Sequence, residues 1–178
     1  METLVIVAHP NFQHSKVNKR WVQELQKHSG ITIHNLSLAY PDDQINIYYE
    51  RELVLRHDRI VLQFPMLFYN VPYILKKWID EVFAYLWSGD DGAKLLGKDL
   101  MLAISMGAPA ESYKPDGFNY YTVEELVRPM EAVANLVGMN FLPVFKFFNA
   151  AMATDEEIEA SAKEYVEYVL KVGEPNHI

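Results

Sequence analysis

The chain has no cysteine. That excludes disulfides, thiolate metal ligands and a thiol nucleophile. It also lacks a long basic run: 16 lysines and arginines face 24 aspartates and glutamates, a formal net charge of −8. Such a chain repels polyanions on average, which disfavours nucleic acid as a partner. No apolar stretch approaches the ~20 residues of a membrane span. The run Leu4-Val5-Ile6-Val7-Ala8 is too short for a signal peptide and has no basic residue before it. Cytoplasmic residence is the expectation that these missing signals leave.

What the chain does have is apolar surface and rings. Half of its 178 residues are apolar, with 11 tyrosines, 9 phenylalanines and 3 tryptophans. That composition argues against disorder and suffices for a core in one domain spanning 1–178. Residues 3–8 (TLVIVA) are a β-branched run, the pattern of a strand buried on both faces. Val17, Trp21, Val22 and Leu25 make a helical stripe over 15–28, with Ser15 placed to cap it. A second strand is predicted over 31–36, an irregular stretch over 38–48, a short charged helix over 49–56, and a third strand over 59–64 stopped by Pro65. Pro72 opens a helix whose stripe is Ile74, Leu75, Trp78, Ile79, Val82 and Phe83. A fourth strand covers 99–105. Thr122 with Glu125 and Thr154 with Glu157 form capping boxes for two more helices, the first kinked or delayed by Pro129. Between them 140–148 reads as a fifth strand, which Pro143 assigns to a sheet edge. The tail 173–178 is expected to fray.

Strands and helices alternate throughout. The pattern predicts an α/β protein, a five-stranded parallel sheet with helices on both faces and the flavodoxin-like order 2-1-3-4-5. Ligands of such sheets sit at the carboxyl ends of the strands, where the order reverses. That brings together the connections 9–15, 65–72 and 105–121.

Each connection carries chemistry. In HPNFQHSKVN, residues Ser15, Lys16, Val17 and Asn18 open a helix whose first N–H groups suit an anion. His9 and Lys16 can add charge, and Ser15 and Asn18 hydrogen bonds. A phosphate fits, although the same residues also read as a plain helix cap. His9 and His14 have no carboxylate at ligand spacing, which disfavours a metal pair. The second connection, PMLFYNVP, is apolar and aromatic where solvent is expected. Phe68 and Tyr69 either pack into the core or wall a flat aromatic ligand. The third begins Ser105-Met106-Gly107, where Gly107 permits close backbone approach. Pro109, Tyr113, Pro115, Phe118, Tyr120 and Tyr121 follow and can form a lid. Tyr113 can donate a hydrogen bond to a reducible oxygen, or is an ordinary loop tyrosine. A phosphate cradle at one end and an aromatic slot at the other match the shape of a flavin nucleotide.

The segments VIVAHPNFQHSKVNK, FPMLFYNVPYILKKWIDEVF and GKDLMLAISMGAPAESY carry a resemblance over nearly the whole chain. The chain resembles the flavodoxin-like NAD(P)H:quinone oxidoreductases, which include DT-diaphorase and the ancillary oxidoreductase subunits of glutathione-gated potassium efflux systems. The resemblance implies a tightly bound FMN or FAD, a homodimer, and two-electron ping-pong hydride transfer from NAD(P)H to a quinone-like acceptor. It matches His9, Ser15 and Asn18 to phosphate contacts. Pro65, Met66, Leu67, Phe68 and Tyr69 match the cradle of the isoalloxazine ring. Ser105, Met106 and Gly107 match the turn at the ring's polar edge, and Tyr113 a tyrosine near its reactive face. Met106 and Ala108 depart from the hydroxyl residue and second glycine common in the family, and Asn119 stands where some members carry a histidine. FMN is preferred to FAD because no adenine-side extension is recognisable.

Two further readings compete. The chain can be a flavin-binding regulatory subunit docked on a potassium efflux transporter. It can also be a one-electron flavodoxin, but HPNFQHSKVN is not the Ser/Thr-rich phosphate loop of that family. A receiver domain needs acidic residues where Ala8-His9-Pro10 and Phe64-Pro65 stand. Partner contacts are expected from 65–87, where Trp78, Phe83, Tyr85 and Trp87 concentrate aromatic area.

Overall fold

The computed structural model describes residues 1–171; the predicted fraying of 173–178 lies outside them. The chain runs β1 (Thr3–Val7), α1 (Val17–Leu25), β2 (Ile31–Asn35), α2 (Leu36–Ala39), α3 (Ile47–Arg56), β3 (Arg59–Pro65), α4 (Tyr73–Trp78), α5 (Ala84–Ser88), β4 (Asp99–Ser105), α6 (Val123–Leu126), α7 (Arg128–Val137), β5 (Asn140–Phe141), β6 (Phe145–Phe147) and α8 (Asp155–Lys171). A π-turn over Ile79–Phe83 joins α4 to α5.

Every strand pairing is parallel, and the sheet order is β2-β1-β3-β4-β5, with β6 also on β4. The predicted order is therefore observed. The fifth strand differs from expectation by being split. β5 pairs Asp99 and Leu100, β6 pairs Ala103 to Ser105, and Leu142-Pro143-Val144 lies between them. Pro143 has no N–H to offer the ladder, so the edge strand breaks where it stands.

Alternation along the strands builds two cores. Leu4, Ile6, Ile60, Leu62, Leu100 and Leu102 face one, under α3, α4 and α7. Val5, Val7, Val61, Met101 and Ala103 face the other, under α1 and α8. The predicted α4 stripe is buried in full. Leu36, read as the end of the second strand, instead opens α2, because the Asn35 side chain accepts the Leu38 N–H at 3.2 Å and turns the chain. Pro129 delays the helix as expected: α6 ends at Leu126, and α7 restarts with the proline in its first turn.

Candidate active site

The register sets the site. Val7 lies opposite Gln63, and Pro65 opposite Ser105, so the segments leaving β1, β3 and β4 emerge side by side at one sheet edge. Hydrogen bonds lock them together. Ala8 N–H donates to Gln63 O at 3.0 Å, and Met66 N–H to Ser105 O at 2.9 Å. Asn18 Nδ2, from α1, donates to Ser105 Oγ at 2.9 Å.

In the first connection, Ser15 Oγ accepts the Asn18 N–H at 3.1 Å, which is the predicted cap. The N–H groups of Lys16 and Val17 have no acceptor among the described residues. The Val17 side chain packs in the α1–α8 core, leaving its backbone N–H as its only polar offering. Lys16 is exposed and lines a cleft of about 410 Å³ between the starts of α1 and α8, with Lys19, Arg20 and Asp155. Both histidines are bound to Asn11: its N–H donates to His9 Nδ1 at 2.9 Å, and its Oδ1 lies 2.8 Å from His14 Nδ1. Burial lowers the His9 pKa below 6.5, and an Nδ1 that accepts a hydrogen bond carries no proton. His9 therefore enters the site as a neutral ring rather than as added charge. Asn18 is buried, and its side chain is already engaged with Ser105 and Gln63.

The second connection is a tight turn. Leu67 and Asn70 exchange N–H···O=C bonds of 2.9 and 3.0 Å, with Phe68 and Tyr69 between them at φ of 44° and 64°. That is the φ pattern of a type I′ turn, where asparagine and glycine are expected. Bulky residues at positive φ are strained. Phe68 is 98% exposed, so it does not pack into the core. The N–H groups of Phe68 and Tyr69 have no acceptor among the described residues, whereas those of Met66 and Leu67 are taken. Met66 is half-buried against the first core.

The third connection starts with Ser105 and Met106, both buried. The Met106 side chain belongs to the core, and its N–H and C=O bond Phe147 and Ala150. Gly107 is exposed, and a Cβ built on it meets nothing within 4 Å; its N–H is unclaimed among the described residues. Tyr113 is half-buried, tilted over Phe148 at 5.6 Å, and burial raises its phenol's pKa, with Tyr69 adding to the rise. Tyr69 OH donates to Asn119 Oδ1 at 3.0 Å and so ties the strained turn to the lid. Phe118, Tyr120 and Tyr121 are exposed, and Tyr120 is itself at φ 61°.

Sequence reasoning passed over Gln63, Asn11 and the bond from Tyr69 to Asn119. Gln63 left a usable signal, a lone amide inside the apolar strand RIVLQF. The other two depend on which loops meet. The three segments together make an open shelf: unclaimed N–H donors at a helix start, a bare glycine face, and strained aromatics projecting into solvent.

The chain is similar to proteins with this architecture. The family described as having a flavodoxin-like fold matches residues 1–169. General stress protein 14 of Bacillus subtilis is 45% identical over 170 residues, 95% of this chain and 97% of that protein. The same organism's uncharacterized NAD(P)H oxidoreductase YdeQ is 42% identical over 97% of this chain and 88% of its own length. Among solved structures, general stress protein 14 of Treponema denticola in complex with FMN superposes with a TM-score of 0.89 at 38% identity, covering 95% of this chain and 98% of the other. An NADPH-quinone reductase of P. pentosaceus superposes at 0.88 with 30% identity, covering 97% and 100%. The chain belongs to this flavodoxin-like family.

Proposed function

We propose that the protein is a cytoplasmic, single-domain, FMN-dependent NAD(P)H dehydrogenase (quinone) that works by a ping-pong cycle. One observation carries the reading: a strained turn holds Phe68 almost wholly in solvent beside unclaimed N–H donors and the open face of Gly107. Strain of this kind persists where a ligand makes use of it. The residues fit FMN in particular, because the donors fall into an anion-suited group at α1 and a planar-ring group at 68–69 and 107. Among the relatives, one is in complex with FMN and another is described as an NADPH-quinone reductase.

When bound, FMN supplies a ring that takes a hydride from NAD(P)H and delivers it to a quinone-like acceptor. The protein's own part is orientation and electrostatics. The N–H groups of Lys16 and Val17, the Ser15 hydroxyl and the Lys16 ammonium hold the phosphate. The N–H groups of Phe68, Tyr69 and Gly107 address the ring's polar rim and stabilise negative charge there. The Phe68 ring covers a face and excludes water. Tyr113 donates a hydrogen bond to the acceptor oxygen, and the raised pKa of its phenol keeps it a donor at neutral pH. A quinone that gains a hydride also takes up a proton to become a hydroquinone; Asn119 is an amide and supplies none, so that proton comes from water at the open shelf.

The purified protein should be yellow, bleach on anaerobic NADPH and recover with menadione. Tyr113→Phe should slow the quinone half-reaction about tenfold, the scale of one hydrogen bond made in the transition state, while flavin content is kept. A preparation that takes up neither FMN nor FAD refutes the enzyme, and loss of flavin with normal turnover per bound flavin refutes the role of Tyr113.

The homodimer is proposed on a narrower surface than the sequence suggests. Trp78 and Phe83 are buried within the chain and cannot meet a partner. Tyr48, Tyr73, Tyr85 and Trp87 are exposed, with Tyr48 edge-on to Tyr85 at 5.7 Å. Sedimentation should give twice the chain mass and Trp87→Glu should halve it. No helix among the described residues is long and apolar enough to cross a membrane. Docking on a potassium efflux transporter is the alternative use of this aromatic face, and its mark is cosedimentation with transporter-bearing membranes that Trp87→Glu abolishes.

A further inference from the structure

Beneath the shelf lies a polar chain inside an apolar layer. Gln63 is fully buried, between Leu62 and Phe64 along β3, and its amide reaches Asn18 of α1. Its Nε2 donates to Asn18 O at 3.1 Å and to Asn18 Oδ1 at 3.2 Å. Asn18 Nδ2 passes the chain on to Ser105 Oγ at 2.9 Å. The donors run one way, from β3 through α1 to β4. Turning the Gln63 amide over would set its oxygen against two Asn18 oxygens, so the arrangement has one sense. The arrangement is costly for folding alone. Gln63 Oε1 has no hydrogen-bond partner among the described residues. An orphaned buried acceptor is destabilising, and an apolar side chain of the same volume would avoid that.

We infer that Gln63 is a positioning residue, the strut that fixes the distance between the anion-suited start of α1 and the Ser105–Gly107 turn. The inference rests on the flavin reading above and deepens it. FMN grips the protein at both of these places, through its phosphate and through its ring. A ligand held at two ends gains affinity only if the ends of its site keep the right spacing. The same chain holds Ser105 Oγ as an acceptor, which leaves the Ser105 hydroxyl proton free to be donated outward. Gln63 touches no ligand; it acts through Asn18 on both ends at once.

The test compares ligands with one end and with two. The flavin-stripped full chain is titrated with FMN and with riboflavin, which has the ring but no phosphate, by quenching of flavin fluorescence. Gln63→Met keeps the volume and removes the amide. It should weaken FMN binding about tenfold, the scale of one lost hydrogen bond, and leave riboflavin within about twofold. Its melting temperature without flavin should stay within about 4 °C of the parent, since one orphaned atom is removed as another, Asn18 Oδ1, is created. Gln63→Leu is the second variant and should behave alike. Equal weakening of FMN and riboflavin, or no weakening of either, overturns the strut while the flavin reading stands. A parent chain that binds neither ligand overturns that reading, and the strut with it.

Discussion

Phe68 shows how much a single residue can disclose. Its φ of 44° costs energy that asparagine or glycine would not incur, and its ring gains no contact in return. Phe68→Asn should therefore raise stability by about 1 kcal/mol in denaturant unfolding, while flavin binding weakens. A variant neither more stable nor weaker in flavin binding would show that the turn is relaxed and unused. His9 sets a pH dependence. Its pKa is lowered from 6.5 by burial, so in the window below 6.5 the unfolded chain takes up a proton that the folded chain refuses. The stability owed to His9 is whole above pH 6.5 and declines as pH falls through the folded value. An NMR titration of its ring should find a midpoint below 6.5 and, in the same window, loss of protection of the Asn11 N–H that it accepts.

Among the elements, the lid is the one under most constraint. It folds back tightly: a Cβ on Gly117 would sit 2.4 Å from Glu111 O and 2.7 Å from Ser112 O, both backbone atoms. Asn119 N–H then donates to Ser112 O at 2.9 Å, and this closes the loop so that Asn119 meets Tyr69. Gly117→Ala must push this loop open and break both contacts. It should raise KM for the acceptor severalfold and change global stability by less than 1 kcal/mol, since the loop carries little of the core. Unaltered steady-state kinetics would show that the loop has no part in turnover. Helix capping, by contrast, was readable in advance. Thr122 with Glu125 and Thr154 with Glu157 make their reciprocal bonds because capping involves only residues three apart.

At the scale of the molecule, buried Glu50 ties one side of the fold together. His34 Nε2 lies 2.7 Å from its Oε1, Trp78 Nε1 donates to its Oε2 at 2.7 Å, and the Tyr40 hydroxyl is bonded to it as well. These partners come from β2, the segment after α2, and α4. Glu50→Ala strands three buried polar groups and should cost about 3 kcal/mol or more, lowering the melting temperature by roughly 10 °C. A fall of only a degree or two would mean that water or neighbouring groups take over the bonds.

The sequence by itself determined the burial stripes and the helix caps, and it pointed to the strand order and the meeting of three connections at one sheet edge. The stripes and caps follow from local periodicity, and the handedness of parallel crossovers narrows the strand order to a few choices, of which five strands suggest the flavodoxin-like one. It could not say that Phe68 faces solvent, that Met106 is core, that His9 stays neutral, or that Asn18 is a link between strands. Only the tertiary structure decided those. Exposure, strain and proton affinity depend on which distant groups come within a few ångströms, and that distance is set by packing the whole chain.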